Sequence, residues 1–73
     1  MQKQCLDDNC YNITKQLSKK LQFLSHVNKY IEDAHKCGNE QAEITWKDIR
    51  VDEQKHADML RNLLISEVKN NRL

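Results

Sequence analysis

Residues 36–40 read "KCGNE", and they decide the fold. Gly38 is the single glycine of a 73-residue chain without proline, so the backbone has one obvious place to break. Glycine suits the left-handed residue that closes a helix, and Asn39 suits the N-cap that opens the next. Glu40 and Glu43 follow where the helix dipole favours negative charge. On both sides of the break the apolar residues recur every three to four positions, the spacing of amphipathic helices. Ile13, Leu17, Leu21, Leu24, Val27 and Ile31 do so before it, and Ala42, Trp46, Ile49, Leu60, Leu63, Leu64 and Val68 after it.

This pattern predicts an all-α fold, an antiparallel two-helix hairpin with helices over 10–37 and 40–69 and a turn at 38–39. Asp7, Asp8 and Asn9 are the expected caps of the first helix, which leaves 1–9 as a flexible N-terminal segment and 70–73 as a frayed tail. Glu32 with Lys36 and Glu43 with Lys47 add i, i+4 support. Such a hairpin leaves an apolar trough open, and so short a chain has a modest apolar inventory. Two copies about a twofold axis close the trough, so the expectation is a homodimer or higher homo-oligomer, dimerising into a four-helix bundle.

A formal charge of +1, with charged residues of mixed sign making up 32% of the chain, gives no polycationic surface and argues against nucleic acid and anionic membranes as partners. No apolar run approaches a membrane span and the start "MQKQCLDDNC" lacks the apolar region of a secretory signal, so the expected location is cytoplasmic. Three cysteines, Cys5, Cys10 and Cys37, are an odd number and read as reduced thiols.

The chemistry concentrates in "VDEQKHADMLRNLL", residues 51–64. Glu53 and His56 fall on the apolar face of the second helix, where an ionised carboxylate needs a compensating partner. Three residues apart on a helix, the two side chains can reach one point, and carboxylate with imidazole suits iron, manganese or zinc. Across a twofold axis two such pairs would supply four ligands.

This stretch resembles the metal-binding second helix of ferritin-like proteins, particularly rubrerythrin-type domains and the two-helix encapsulated ferritins, in which Glu-x-x-His precedes small and leucine-rich positions. The resemblance implies a ferritin-like four-helix bundle, an iron cofactor with manganese or zinc as alternatives, metal ligation by Glu53 and His56, and a role in iron handling or oxidative-stress redox chemistry. It also implies ferroxidase- or peroxidase-like di-metal activity, which needs a bridging glutamate from the first helix. The family's position for that glutamate corresponds to Lys20–Phe23, which reads "KLQF" and holds no carboxylate. Gln22 is a weaker oxygen ligand there, and Lys20 can instead pair with Glu53, an ammonium replacing the metal.

Glu32 and His35 form a second Glu-x-x-His, about 12 Å along the hairpin from the Glu53 layer, and are weaker metal candidates. Phe23, Tyr30 and Trp46 read as core or interface anchors. The competing expectation is a non-enzymatic interaction or regulatory hairpin dimer that has lost the metal site. Lys15, Lys19, Lys20 and Lys29 along the first helix raise an RNA-binding hairpin as a more distant one.

Overall fold

The computed structural model describes residues 2–70, with side chains from residue 8 onward. Two helices account for it, α1 over Gln2–Lys36 and α2 over Glu40–Lys69, packed antiparallel into a rod of 54 × 15 × 14 Å. There is no strand among the described residues.

The turn is built as the sequence suggests. Gly38 has φ +76°; its N–H donates to the His35 carbonyl at 3.1 Å, and the Asn39 N–H donates to the Ala34 carbonyl at 3.0 Å. These two bonds satisfy carbonyls that the end of α1 would leave orphaned. Asn39 then caps α2, its Oδ1 accepting from the Ala42 N–H at 2.9 Å. One glycine and one asparagine thus end one helix, reverse the chain and start the other.

The N-terminal boundary differs from expectation. α1 is helical from Gln2 and runs through Asp7, Asp8 and Asn9, so these residues do not cap it and the helix starts well before residue 10. No proline or glycine precedes Gly38, and three good capping residues do not stop a helix that nothing breaks. At the other end Asn70 is the C-cap of α2, and residues 71–73 of the expected frayed tail lie outside the described residues.

The helices meet along a seam whose positions alternate three and four apart, the heptad spacing of a left-handed coiled coil. On α1 the seam is Cys10, Ile13, Leu17, Lys20, Leu24, Val27, Ile31 and Ala34; on α2 it is Glu43, Trp46, Arg50, Glu53, Ala57, Leu60, Leu64 and Glu67, all buried or half-buried. Ile13, Val27, Ile31, Ala34 and Ala57 are the buried apolar residues among those described. Beside them the seam admits Lys20, Glu43, Arg50, Glu53 and Glu67. Most of the apolar face read from the sequence lies in this seam: Ile13, Leu17, Leu24, Val27 and Ile31 on α1, and Trp46, Leu60 and Leu64 on α2. Leu21, Leu63 and Val68, expected inside, are 42%, 46% and 53% exposed.

The two sides of this rod are unlike. Residues seven apart share a stripe in such a seam. One side carries Gln16, Phe23 and Tyr30 from α1 with Ala42, Ile49, His56 and Leu63 from α2; the other carries Thr14, Leu21, Asn28 and His35 with Lys47, Gln54, Arg61 and Val68. The first is largely apolar and the second largely polar. Total accessible surface is 5633 Å², against roughly 4,700 Å² for a compact monomer of this mass.

Candidate functional site: a lysine, a glutamate and a histidine at mid-hairpin

The seam is interrupted near its middle by charge. Lys20, opposite the small Ala57, reaches along the seam so that its Nζ lies 3.1 Å from Glu53 Oε1. His56 Nδ1 lies 3.1 Å from the other carboxylate oxygen, Oε2. The Lys20 and Glu53 side chains are 28% and 20% exposed, and His56 is half exposed at 49%. Glu53 is therefore the inner member of the group, and His56, one position off the seam, sits at its rim.

The electrostatics follow from that placement. Burial is the largest single influence on Glu53 and works against the ionised form, but hydrogen bonds from His56 and Lys20, together with their charge, outweigh it. The carboxyl consequently titrates below the ordinary glutamate value. The sequence requires compensation for a carboxylate at this position, and the ammonium of Lys20 provides it.

The remaining candidate ligands lie elsewhere with other partners. Gln22 is exposed on α1, its carbonyl accepting from Ser25 Oγ at 2.7 Å and facing His26 Nδ1 at 2.8 Å. Glu32 pairs with Lys36 at 3.8 Å. His35 Nδ1 lies 3.2 Å from Glu43 Oε1 across the turn, and Lys47 lies 3.4 Å from Glu43 Oε2. The hydrogen bond from His35 is the main reason that Glu43 also titrates below its usual value. The expected i, i+4 pairs of Glu32 and Glu43 are thus both formed.

The donor set of one chain does not fit a di-metal centre. At the mid-hairpin layer it consists of Glu53 and His56, and a fixed cation already faces the carboxylate. Among the described residues no group of three or more His, Cys, Asp or Glu side chains is arranged to hold a metal ion.

The sequence marks Phe23, Tyr30 and Trp46 as anchors but not their meeting, and it does not mark Arg50. Arg50 occupies a seam position and donates from Nη1 to Asn28 Oδ1 at 2.7 Å, tying the helices together on the polar side. On the apolar side Phe23, Tyr30 and Trp46 form a triangle of rings, with centroids 5.0–6.3 Å apart. Farther from the turn the same side opens into a groove of about 650 Å³ lined by Gln16, Lys20, His56, Met59, Leu60 and Leu63. The heptad spacing of Glu43, Trp46, Arg50, Glu53, Ala57, Leu60, Leu64 and Glu67 was the signal that could have found the seam.

Comparison of the chain with protein-family models, with characterised proteins and with solved structures finds no match in any of the three. No described helix is long and apolar enough to cross a membrane.

Proposed function

We propose that the chain is a non-enzymatic interaction module, a helical hairpin that pairs with a second copy of itself through its apolar side, giving a four-helix bundle of ferritin-like layout in which a lysine stands where a metal would. The observation that carries this reading is the 3.1 Å approach of Lys20 Nζ to Glu53 Oε1. A carboxylate neutralised by a tethered ammonium has its charge met within the chain, and adding a divalent cation beside that ammonium brings two like charges together in a half-buried layer. The exposure of Tyr30, Met59 and Leu63, at 37%, 61% and 46%, supports the pairing.

A second reading is favoured by one observation, the convergence of His56 on Glu53 at 3.1 Å. In it, two copies bring two glutamates and two histidines to a shared axis and hold iron, manganese or zinc after Lys20 swings aside. One experiment separates them. Protein purified without chelators is incubated with ferrous iron, manganese or zinc, desalted, and assayed for metal by mass spectrometry. The interaction module retains less than one metal per two chains. Stoichiometric retention that is lost in Glu53→Ala overturns it in favour of the metal-binding reading.

A further inference from the structure

The whole-chain charge of +1 averages two unlike helices. Among the described side chains α1 carries five lysines and three acids, whereas α2 carries five cations and seven acids. Within α1 the sorting is sharper: residues 9–31 hold Lys15, Lys19, Lys20 and Lys29 and no Asp or Glu. Lys20 turns into the seam to meet Glu53. The others stand on the outward ridge of the helix, where Lys15, Lys19, Gln22, His26 and Lys29 alternate four and three apart and are all exposed, over a length of about 21 Å. Two arginines extend this ridge across the polar side. Arg61 is exposed and, from the Asn28–Arg50 and His35–Glu43 contacts, lies about level with Leu17; Arg50 brings its guanidinium to Asn28 at 2.7 Å. The nearest acids lie at the margins. Asp33 pairs with Lys29 at 2.9 Å towards the turn, and Asp58 accepts from Gln54 at 3.1 Å at the α2 edge. An exposed pair such as Lys29–Asp33 holds its lysine only weakly.

We infer that the outward ridge of α1, with Arg50 and Arg61 beside it, is a docking surface for the backbone of double-stranded RNA. Cations in a row with acids only at the margins make a strip of positive potential on which a polyanion releases its counterions. The surrounding residues select the kind of polyanion. Phe23, Tyr30 and Trp46 gather on the other side of the rod, so the ridge between Lys15 and Lys29 carries no Phe, Tyr or Trp on which an unpaired base could stack. Tyr11, at its end, lies under Lys15 Nζ at 5.4 Å. A straight helical ridge without a stacking platform suits the fixed phosphate rows of a duplex. Between the lysines stand Ser18, Gln22 and Ser25, all exposed. Hydroxyl and amide groups both donate and accept, as does the 2′-hydroxyl that distinguishes RNA from DNA. This surface lies away from the apolar side, so self-pairing there leaves it open; the inference goes beyond that pairing and does not depend on it.

The test measures binding of the full chain to a fluorescent RNA duplex of about 20 base pairs, to the DNA duplex of the same sequence and to phosphatidylserine vesicles, by anisotropy and by sedimentation. About three phosphate contacts predict that RNA affinity falls roughly 40-fold between 50 mM and 200 mM salt. Two pairs of substitutions then remove the same charge from different places. Lys15→Gln with Lys19→Gln is expected to weaken RNA binding at least about tenfold at 50 mM salt. Lys55→Gln with Lys69→Gln, both exposed on α2, is expected to change it less than about twofold. Lys15→Arg with Lys19→Arg keeps the charge and is expected to retain binding, which separates loss of contact from loss of fold; helicity is checked for every variant. Absence of RNA binding at 50 mM salt overturns the inference, and so does an equal loss from the two glutamine pairs, since net charge alone would then act. DNA or vesicles bound as tightly as RNA overturn the assignment to RNA.

Discussion

Lys20 and Glu53 sit on different helices, 33 positions apart in the sequence and 3.1 Å apart in space. The pair occupies seam positions that a uniformly apolar hairpin would fill with leucine, and a half-buried ion pair of this kind is a poor source of net stability, because desolvation offsets much of the attraction. Removing one partner is another matter. Lys20→Ala leaves Glu53 with His56 alone in the seam and is expected to cost about 1–2 kcal/mol, below the figure for fully buried pairs because both groups keep some solvent. Lys20→Met with Glu53→Leu is expected to be neutral or stabilising by about 1 kcal/mol. Urea unfolding of the single and double variants measures both, and a double variant as unstable as Lys20→Ala would show that the pair contributes net stability.

Acid should act through Glu53. Its folded-state carboxyl titrates below the ordinary glutamate value, so the unfolded chain takes up the proton first as pH falls. The resulting contribution is fully present above the unfolded glutamate value, near neutral pH, and declines as pH drops below that value and through the depressed one. Thermal denaturation from pH 7 down to pH 3 is expected to show a steeper loss for the native chain than for Glu53→Gln, which has no proton to gain there. Parallel curves would remove Glu53 from the acid response.

The turn makes a separable contribution. Gly38 adopts φ +76° with open space around the position of an added Cβ, so Gly38→Ala meets no clash and its cost is that of the backbone conformation, about 1–2 kcal/mol. Asn39→Ala loses the bond to the Ala42 N–H and is expected to cost about 1 kcal/mol. Gly38→Asn should be milder than Gly38→Ala, since asparagine tolerates the left-handed region better. Denaturant midpoints at one protein concentration check the order Gly38→Ala worse than Gly38→Asn.

Reversing the charge at position 20 tests what the lysine does. Lys20→Glu places a second carboxylate beside Glu53 and His56, giving one chain three donors where the native chain has two. Without metal the variant is expected to be less stable than the native chain, because two carboxylates share a half-buried site. With manganese or zinc it should bind at least tenfold more tightly than the native protein and recover stability by mass action. Calorimetric titration of both proteins decides it; equal, weak binding would mean that position 20 does not control access to the layer.

Much of the hairpin is legible in the sequence because its determinants are local. One glycine, one asparagine and three-to-four spacing specify two helices and their reversal; counting back from the turn sets Glu53 opposite Leu24, and Lys20 reaches it along the seam. The seam itself is less legible. Lys20, Arg50 and Glu67 occupy inward positions that hydrophobicity does not mark, and Leu21 and Leu63 stand beside the seam, one to each side of it. Leu63 belongs to the apolar side and Leu21 to the polar one, and a reading that sums all apolar residues merges these surfaces with the seam. The start of α1 is not legible, because Asp7–Asn9 favour a cap only where the chain leaves the helix, and nothing there makes it leave.

Lysine and glutamate codons differ by a single base. The hairpin whose centre is neutralised from within and one presenting two acids and an imidazole at the same height are therefore immediate mutational neighbours, sharing every turn and packing residue. The side chain at position 20 records on which side of that step this chain stands.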